Sequence, residues 1–92
     1  MVDHKTVGEA LRRLKRIGGQ VKGLERMVEE GRYCIEILDQ VSAVQGALGQ
    51  IGRIVTRQHL ATCVQEAFRS GPRAEKAKKI KELMTVVSRF GR

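Results

Sequence analysis

Aromatic residues and proline are scarce in this 92-residue sequence, which has one tyrosine, two phenylalanines, no tryptophan and a single proline. So few rings argue against a surface on which single-stranded bases stack. No apolar run reaches membrane-spanning length, no β-hairpin signal occurs, and the polar start MVDHKTVGEA is unlike a signal peptide. These absences predict a helical protein of the cytoplasm that has no membrane segment.

Length and charge indicate what the chain could bind. Its length allows one domain, residues 1–92, whose modest core makes association of copies expected. Lys and Arg number 18 against 10 Asp and Glu. A basic excess favours an acidic partner, most commonly nucleic acid, although a solvated surface would explain the charge equally well. No carboxylate pair, nucleophile triad or phosphate loop indicates an enzyme.

The hydrophobic periodicity predicts an all-α fold with three helices per chain, at about residues 5–30, 32–69 and 73–90. In the first two, apolar residues alternate spacings of three and four, which is the seam of a helix packed on another helix. Gly31 and the run Ser70-Gly71-Pro72 end these two segments, as Gly and Pro usually do.

The two cysteines and one histidine are spaced so that one helix does not bring them together. His59 and Cys63 are four apart, so their Cβ atoms lie about 6 Å apart on one helix face. Cys34 precedes them by about 37 Å along a continuous helix. A two-fold axis near residue 47 or 48, between antiparallel copies of this helix, would place Cys34 of each chain beside His59 and Cys63 of the other. Small residues cluster there, namely Gly46, Ala47, Gly49 and Gly52.

Two thiolates and an imidazole form a soft donor set with few ligands. Such a set suits Cu(I) better than four-coordinate Zn(II). The same spacing also fits a purely structural role, with Cys34 and Cys63 as small buried hydrophobes and His59 as a core histidine. The spacing alone leaves both interpretations open.

Three stretches resemble one protein family. The copper-sensitive operon repressors are similar in LRRLKRIGGQVKGLERMVEEGRYC, in QVSAVQGAL and in HLATC. The resemblance covers about residues 5–90, and relatives of this family sense nickel or cobalt, formaldehyde or persulfide. It implies an antiparallel four-helix bundle, built from the first two helices of two chains, in a homodimer that pairs into a homotetramer.

Residue identities indicate the copper(I) branch of this family. Cys34, His59 and Cys63 match its metal ligands, whereas a nickel sensor has histidine in place of Cys63 and a persulfide sensor has cysteine in place of His59. The resemblance also implies that Tyr33 and Glu82 connect to the ligating histidine. Taken alone, Tyr33 would fit a packing position and Glu82 a solvated one equally well.

For DNA, the family uses basic residues of the first two helices rather than a helix-turn-helix. Arg13 and Arg53 match two of its arginines, and Gln50 stands where a third is expected. Physical reasoning adds six basic residues to that surface, namely Arg12, Lys15, Arg16, Lys22, Arg26 and Arg57. Taken individually, each of the six fits a solvated surface charge better than a DNA contact.

The resulting hypothesis is a repressor that releases operator double-stranded DNA when Cu(I) binds at Cys34, His59 and Cys63. The two ligands would then be negatively coupled. Three other functions stay open. They are a thiol or persulfide redox repressor that uses Cys34 and Cys63, a copper buffer that does not bind DNA, and a DNA-binding protein without a metal response.

Overall fold

The computed structural model describes residues 3–90, apart from the side chains of residues 63, 64, 67 and 70. In chain order it contains α1 (His4–Glu29), α2 (Cys34–His59), a π-helical turn (Leu60–Val64), α3 (Gln65–Ser70) and α4 (Arg73–Phe90). The backbone stays helical from α2 through the π-helical turn into α3. The prediction of an all-α fold with three helical segments is therefore confirmed. Within residues 3–90, no helix is long and apolar enough to cross a membrane.

Both ends of α1 are closed by local hydrogen bonds. Asp3 is the N-cap, and its carboxylate accepts a hydrogen bond of 2.7 Å from the backbone N–H of Thr6. At the other end Gly31 has φ +66°, and its N–H donates to the carbonyl of Val28 while the N–H of Arg32 donates to that of Met27. This is the Schellman arrangement, which glycine allows at low cost. Gly31 therefore reverses the chain into α2 where the sequence predicts a helix end.

Helices α1 and α2 pack side by side in opposite directions. Thr6 near the start of α1 contacts Gln58 near the end of α2, and Arg13 contacts Gln50 further along the pair. Ile17 lies between the two helices with 6 % of its surface exposed, and it is the only large hydrophobic residue buried among the side chains that the structure describes. The antiparallel pair fixes the positions of all the candidate ligand and DNA-contact residues on these two helices.

The long second segment changes its hydrogen-bond pattern at Leu60–Val64. Near residue 47, where small residues cluster, α2 is regular α-helix. At the π-helical turn the Thr62 hydroxyl donates to the carbonyl of Gln58 at 2.9 Å. The Thr56 hydroxyl makes the same kind of bond, to the carbonyl of Gly52 at 2.7 Å, within regular α2. A threonine bond of this kind therefore does not by itself produce a π-helical turn.

Helix α4 runs antiparallel to α2 and contacts both α2 and the π-helical turn. Its last residue in the described range, Phe90, lies against Gly52. A Cβ atom at position 52 would be 2.8 Å from Cγ of the Phe90 ring and closer still to two other ring carbons. Gly52 therefore makes room for a side chain of its own chain. At Gly46, by contrast, the space around an added Cβ is open.

Much of the apolar surface of a single chain is uncovered. The exposed residues include Cys34 and these other seam positions: Val7, Leu14, Val21, Val28, Leu48 and Val55. The Cα radius of gyration is 17.6 Å, whereas a compact domain of this length has about 12 Å. An elongated chain with uncovered apolar faces is typical of a protein that associates with a partner.

Candidate metal centre

Tyr33 and Cys34 lie together at the turn end of the α1–α2 pair. Tyr33 is the N-cap of α2, its side chain makes no capping hydrogen bond, and 70 % of its surface is exposed. Cys34 is the first residue of α2 and has an exposed, free thiol. The chain reversal at Gly31 therefore leaves both side chains accessible.

His59 is the last residue of α2 and is half-buried. Cys63 lies in the π-helical turn that follows, and its side chain lies outside the described residues. A π-helical turn closes from i to i+5 instead of i to i+4, so positions four apart remain within one turn of each other. Such turns are rare and occur frequently at functional sites. The α-helical geometry expected between these two residues is thus replaced by a wider turn.

The two halves of the predicted site lie at opposite ends of α2. Cys34 opens this helix and His59 closes it after 26 residues, which separates them by about 37 Å at 1.5 Å per residue. Among the described residues, no three His, Cys, Asp or Glu side chains lie close enough together to hold a metal ion. A single chain therefore presents Cys34 and the His59–Cys63 turn as two separate groups.

Glu82 lies level with the π-helical turn. Phe90 lies opposite Gly52, and α4 and α2 run antiparallel. Glu82, eight residues before Phe90, is therefore level with Leu60, eight residues after Gly52. Its carboxylate lies 3.7 Å from Nζ of Lys79, one turn earlier on α4. The structure thus brings Glu82 towards the end of α2 that carries His59, whereas Tyr33 is at the other end.

Gln58 is a residue that the sequence interpretation missed. It directly precedes His59 and, at 8 % exposure, is the only buried polar residue among the described side chains. Its amide contacts the Thr6 hydroxyl at 2.8 Å. When the amide is turned so that its nitrogen faces the Asp3 carboxylate, that nitrogen donates at 2.7 Å. We favour this orientation because the opposite one turns the amide oxygen towards the carboxylate oxygens. Gln58 thereby ties the N-terminus of α1 to the end of α2.

Hydrogen bonds also govern the charge of Asp3. The backbone N–H of Thr6, followed by the Thr6 hydroxyl, lowers the pKa of the Asp3 carboxyl below its ordinary value of 3.8. An aspartate shortly before the first residue of an apolar seam is a sequence signal of a helix start. That signal would have located the cap, but not the burial of Gln58 against it.

The candidate DNA-contact residues fall into two clusters and two separate positions. On α1, Arg12, Arg13 and Arg16 line one surface depression together with Glu9. Arg53 and Arg57 of α2 line a second cavity, between α2 and α4. Lys15 and Lys22 are exposed and seven residues apart on α1, so they lie on the same side of that helix, with Lys15 three residues from Arg12. Arg13 also donates to Gln50 at 2.7 Å and lies 3.4 Å from Glu9.

Two sequence comparisons match this chain to the same kind of known protein. The family described as metal-sensitive transcriptional repressor matches residues 7–89. The copper-sensing transcriptional repressor CsoR of Bacillus subtilis is 41 % identical over 96 aligned positions, which cover 96 % of this chain and 92 % of that protein.

Two solved structures have the same fold. The copper-sensing repressor CsoR with Cu(I) from Geobacillus thermodenitrificans superposes with a TM-score of 0.82 at 39 % identity, over 100 % of this chain and 93 % of that one. The nickel-responsive transcriptional regulator InrS superposes with a TM-score of 0.72 at 35 % identity, over 90 % of each chain. Proteins of this kind are regulators and not enzymes. By sequence and by fold, this chain belongs to the metal-sensitive transcriptional repressor family.

Proposed function

We propose that the chain is a copper(I)-responsive repressor that acts in the cytoplasm, as a homodimer or homotetramer, on operator double-stranded DNA. The observation that carries this proposal is the placement of Cys34 and of the His59–Cys63 turn at opposite ends of α2. Each chain then supplies two incomplete sites. The copper-sensing activity of the Bacillus subtilis relative and the Cu(I) in the Geobacillus structure support copper as the signal.

Two antiparallel chains would complete both sites. An axis near residue 47 or 48 of α2 places Cys34 of each chain close to the level of His59 of the other, because Cys34 lies about 20 Å and His59 about 17 Å from that axis along the helix. Exposed Leu48 and Val55 supply apolar surface for such a contact, and the open space at Gly46 allows a second helix to come close. Gly52, which contacts Phe90 of its own chain, plays no part in it.

The chemistry of the donor set fits Cu(I). Cys34 from one chain and His59 with Cys63 from the other would hold the ion through two thiolates and one imidazole, which are soft ligands. A metal-bound imidazole usually donates its second nitrogen to a neighbouring acceptor. Glu82 of the same chain lies level with the π-helical turn, and Tyr33 would arrive beside Cys34 of the other chain. Both are therefore proposed members of the network around His59.

DNA would be bound through the basic clusters of α1 and α2. Arg12, Arg13 and Arg16 form one cluster, and Arg53 and Arg57 lie further along the same helix pair. Phosphate contacts of this kind position a protein on the duplex without reading its sequence. Lys15 and Lys22, which do not line that depression, are proposed as weaker contributors.

Two connections run from the ligand turn to the rest of the chain. Gln58 links the residue before His59 to Asp3 and Thr6 at the start of α1, which carries the first basic cluster. Helix α4 packs on the π-helical turn and, at Phe90, on α2 next to Arg53. A rearrangement of this turn on metal binding would be transmitted through these contacts to both basic clusters. Such a change would account for weaker DNA binding by the metal-bound protein, which is negative coupling between the two ligands.

Titration of a protein–DNA complex with metal ions tests this function. A fluorescein-labelled duplex, selected from random sequences by retention on the metal-free protein, reports binding through its anisotropy. Cu(I) should release the duplex from the wild type but not from a Cys34→Ala variant, and Ni(II) should leave the complex intact. Release by Ni(II) instead would move the chain towards the nickel-responsive relatives, and release only by a polysulfide, which can transfer sulfane sulfur to a thiolate, would indicate a persulfide sensor. Failure to retain any duplex would refute the repressor function.

A further inference from the structure

The hydrogen bond between Arg13 and Gln50 joins the two helices that carry the proposed DNA surface. Nη1 of Arg13 donates to Oε1 of Gln50 at 2.7 Å, at the short end of the range for such bonds. Nη2 of the same guanidinium lies 3.4 Å from Glu9. The amide oxygen of Gln50 is thus the closer of the two acceptors around Arg13.

The geometry suits an arginine that is held in place while still able to bind an anion. About 42 % of the Arg13 side chain is exposed, so its remaining N–H groups can reach a partner outside the protein. Arginine loses considerable rotamer freedom when it binds, and a guanidinium fixed beforehand loses less. An exposed ion pair such as the one with Glu9 contributes little. Gln50 is therefore the stronger restraint on Arg13.

Gln50 holds Arg13 without adding or removing charge. Its oxygen accepts from Arg13, and its NH₂ group can donate to a further partner. Arg53 lies one helical turn further along α2, and its guanidinium approaches Gly49, next to Gln50. Donors from two arginines and an amide suit the oxygens of a phosphodiester backbone.

We propose that Gln50 is a positioning residue for DNA binding, which holds the Arg13 guanidinium for contact with a backbone phosphate. This inference rests on the proposed function, because it takes Arg13 to be a DNA contact. It explains how a neutral side chain can serve at a position where an arginine would be expected. Its contribution is made through Arg13 and should disappear when Arg13 is absent.

A double-mutant cycle on the metal-free protein tests this dependence. Wild type, Gln50→Ala, Arg13→Ala and the double variant are titrated onto the selected duplex over a series of salt concentrations. Gln50→Ala should weaken binding about 3- to 10-fold, the effect expected for restoring freedom to one such side chain. The same substitution should have no effect in the Arg13→Ala background. Gln45→Ala, at an exposed position of the same helix, is the matched control and should bind as the wild type does.

The salt dependence separates positioning from a purely structural role. Loss of one phosphate contact should reduce the slope of log Kobs against log salt by about 0.9. Arg13→Ala and the double variant should each reduce it by that amount, whereas Gln50→Ala should keep the wild-type slope, because a freed Arg13 still reaches the phosphate at a higher entropic cost. A Gln50→Ala effect that persists in the Arg13→Ala background, or an unchanged slope in Arg13→Ala, would overturn the inference and leave the repressor function standing. Normal binding by Arg13→Ala would overturn the inference together with the proposed α1 surface.

Discussion

Replacing Gly52 by alanine should weaken the contact between α4 and α2. The added Cβ would lie 2.8 Å from Cγ of the Phe90 ring, and nearer to two other ring carbons, so the ring has to move. Overpacking of this kind typically costs about 1–3 kcal/mol. Alanine in place of glycine within a helix returns about 0.5–1 kcal/mol. The net effect on the free energy of unfolding should therefore be a loss of up to about 2 kcal/mol.

Gly19→Ala is the matched control, because a Cβ at this exposed helical position meets no atom within 4 Å. This variant should gain about 0.5–1 kcal/mol from helix propensity alone. Urea unfolding, monitored by far-UV circular dichroism, measures the free energy of unfolding of both variants. All samples have the same protein concentration, because association would contribute to the stability. In a Phe90→Ala background, Gly52→Ala should become stabilising, as Gly19→Ala is. A Gly52→Ala variant that is as stable as Gly19→Ala with Phe90 present would refute the contact.

Three further predictions concern the assembly, the signal and the helix cap. Gly49→Leu should weaken the dimer by about 1–3 kcal/mol through overpacking at the proposed axis, and an unchanged sedimentation profile would argue against that axis. Glu82→Ala should lower Cu(I) affinity by about 10- to 100-fold at most, yet largely abolish Cu(I)-induced release of DNA. If release measured by anisotropy remains complete, the coupling runs elsewhere. Asp3 has a lowered pKa, so its charged form stabilises the fold above pH 3.8 and this contribution is lost as the pH falls below that value. The difference in urea midpoint between wild type and Asp3→Asn should accordingly shrink on acidification, and a constant difference would contradict the role of the carboxylate.

The helices could be predicted from the sequence because each of their signals lies within a few neighbouring residues. Spacings of three and four define the apolar faces, Gly31 ends α1, and Ser70-Gly71-Pro72 separates α3 from α4. Helix α1 begins at His4, within one residue of the predicted start, and Asp3 caps it. Each of these features depends on a few neighbouring residues.

Features that depend on irregular backbone hydrogen bonding or on contacts between distant residues were not predicted. The π-helical turn is one of them, because the threonine bond found within it also occurs in regular α2 and so gives no distinguishing sequence signal. The burial of Gln58 against Asp3 and Thr6 joins residues more than 50 positions apart. The use of Gly52 by Phe90, rather than by a second α2 helix, likewise depends on where α4 packs. The ligand roles of Cys34, His59 and Cys63 remain predictions, because a single chain separates them.

Copper binding by a mixed dimer tests the shared metal site most directly. Cys34→Ala and Cys63→Ala chains, carrying different affinity tags, are refolded together and the mixed dimer is purified through both tags. One of its two sites would then contain Cys34 from one chain with His59 and Cys63 from the other, while the second site would lack both cysteines. If two chains share each metal site, the mixed dimer should bind one Cu(I) tightly and the wild-type dimer two. Either variant alone should bind Cu(I) only weakly. A mixed dimer that binds Cu(I) no more tightly than the single variants would contradict the claim that two chains share each site.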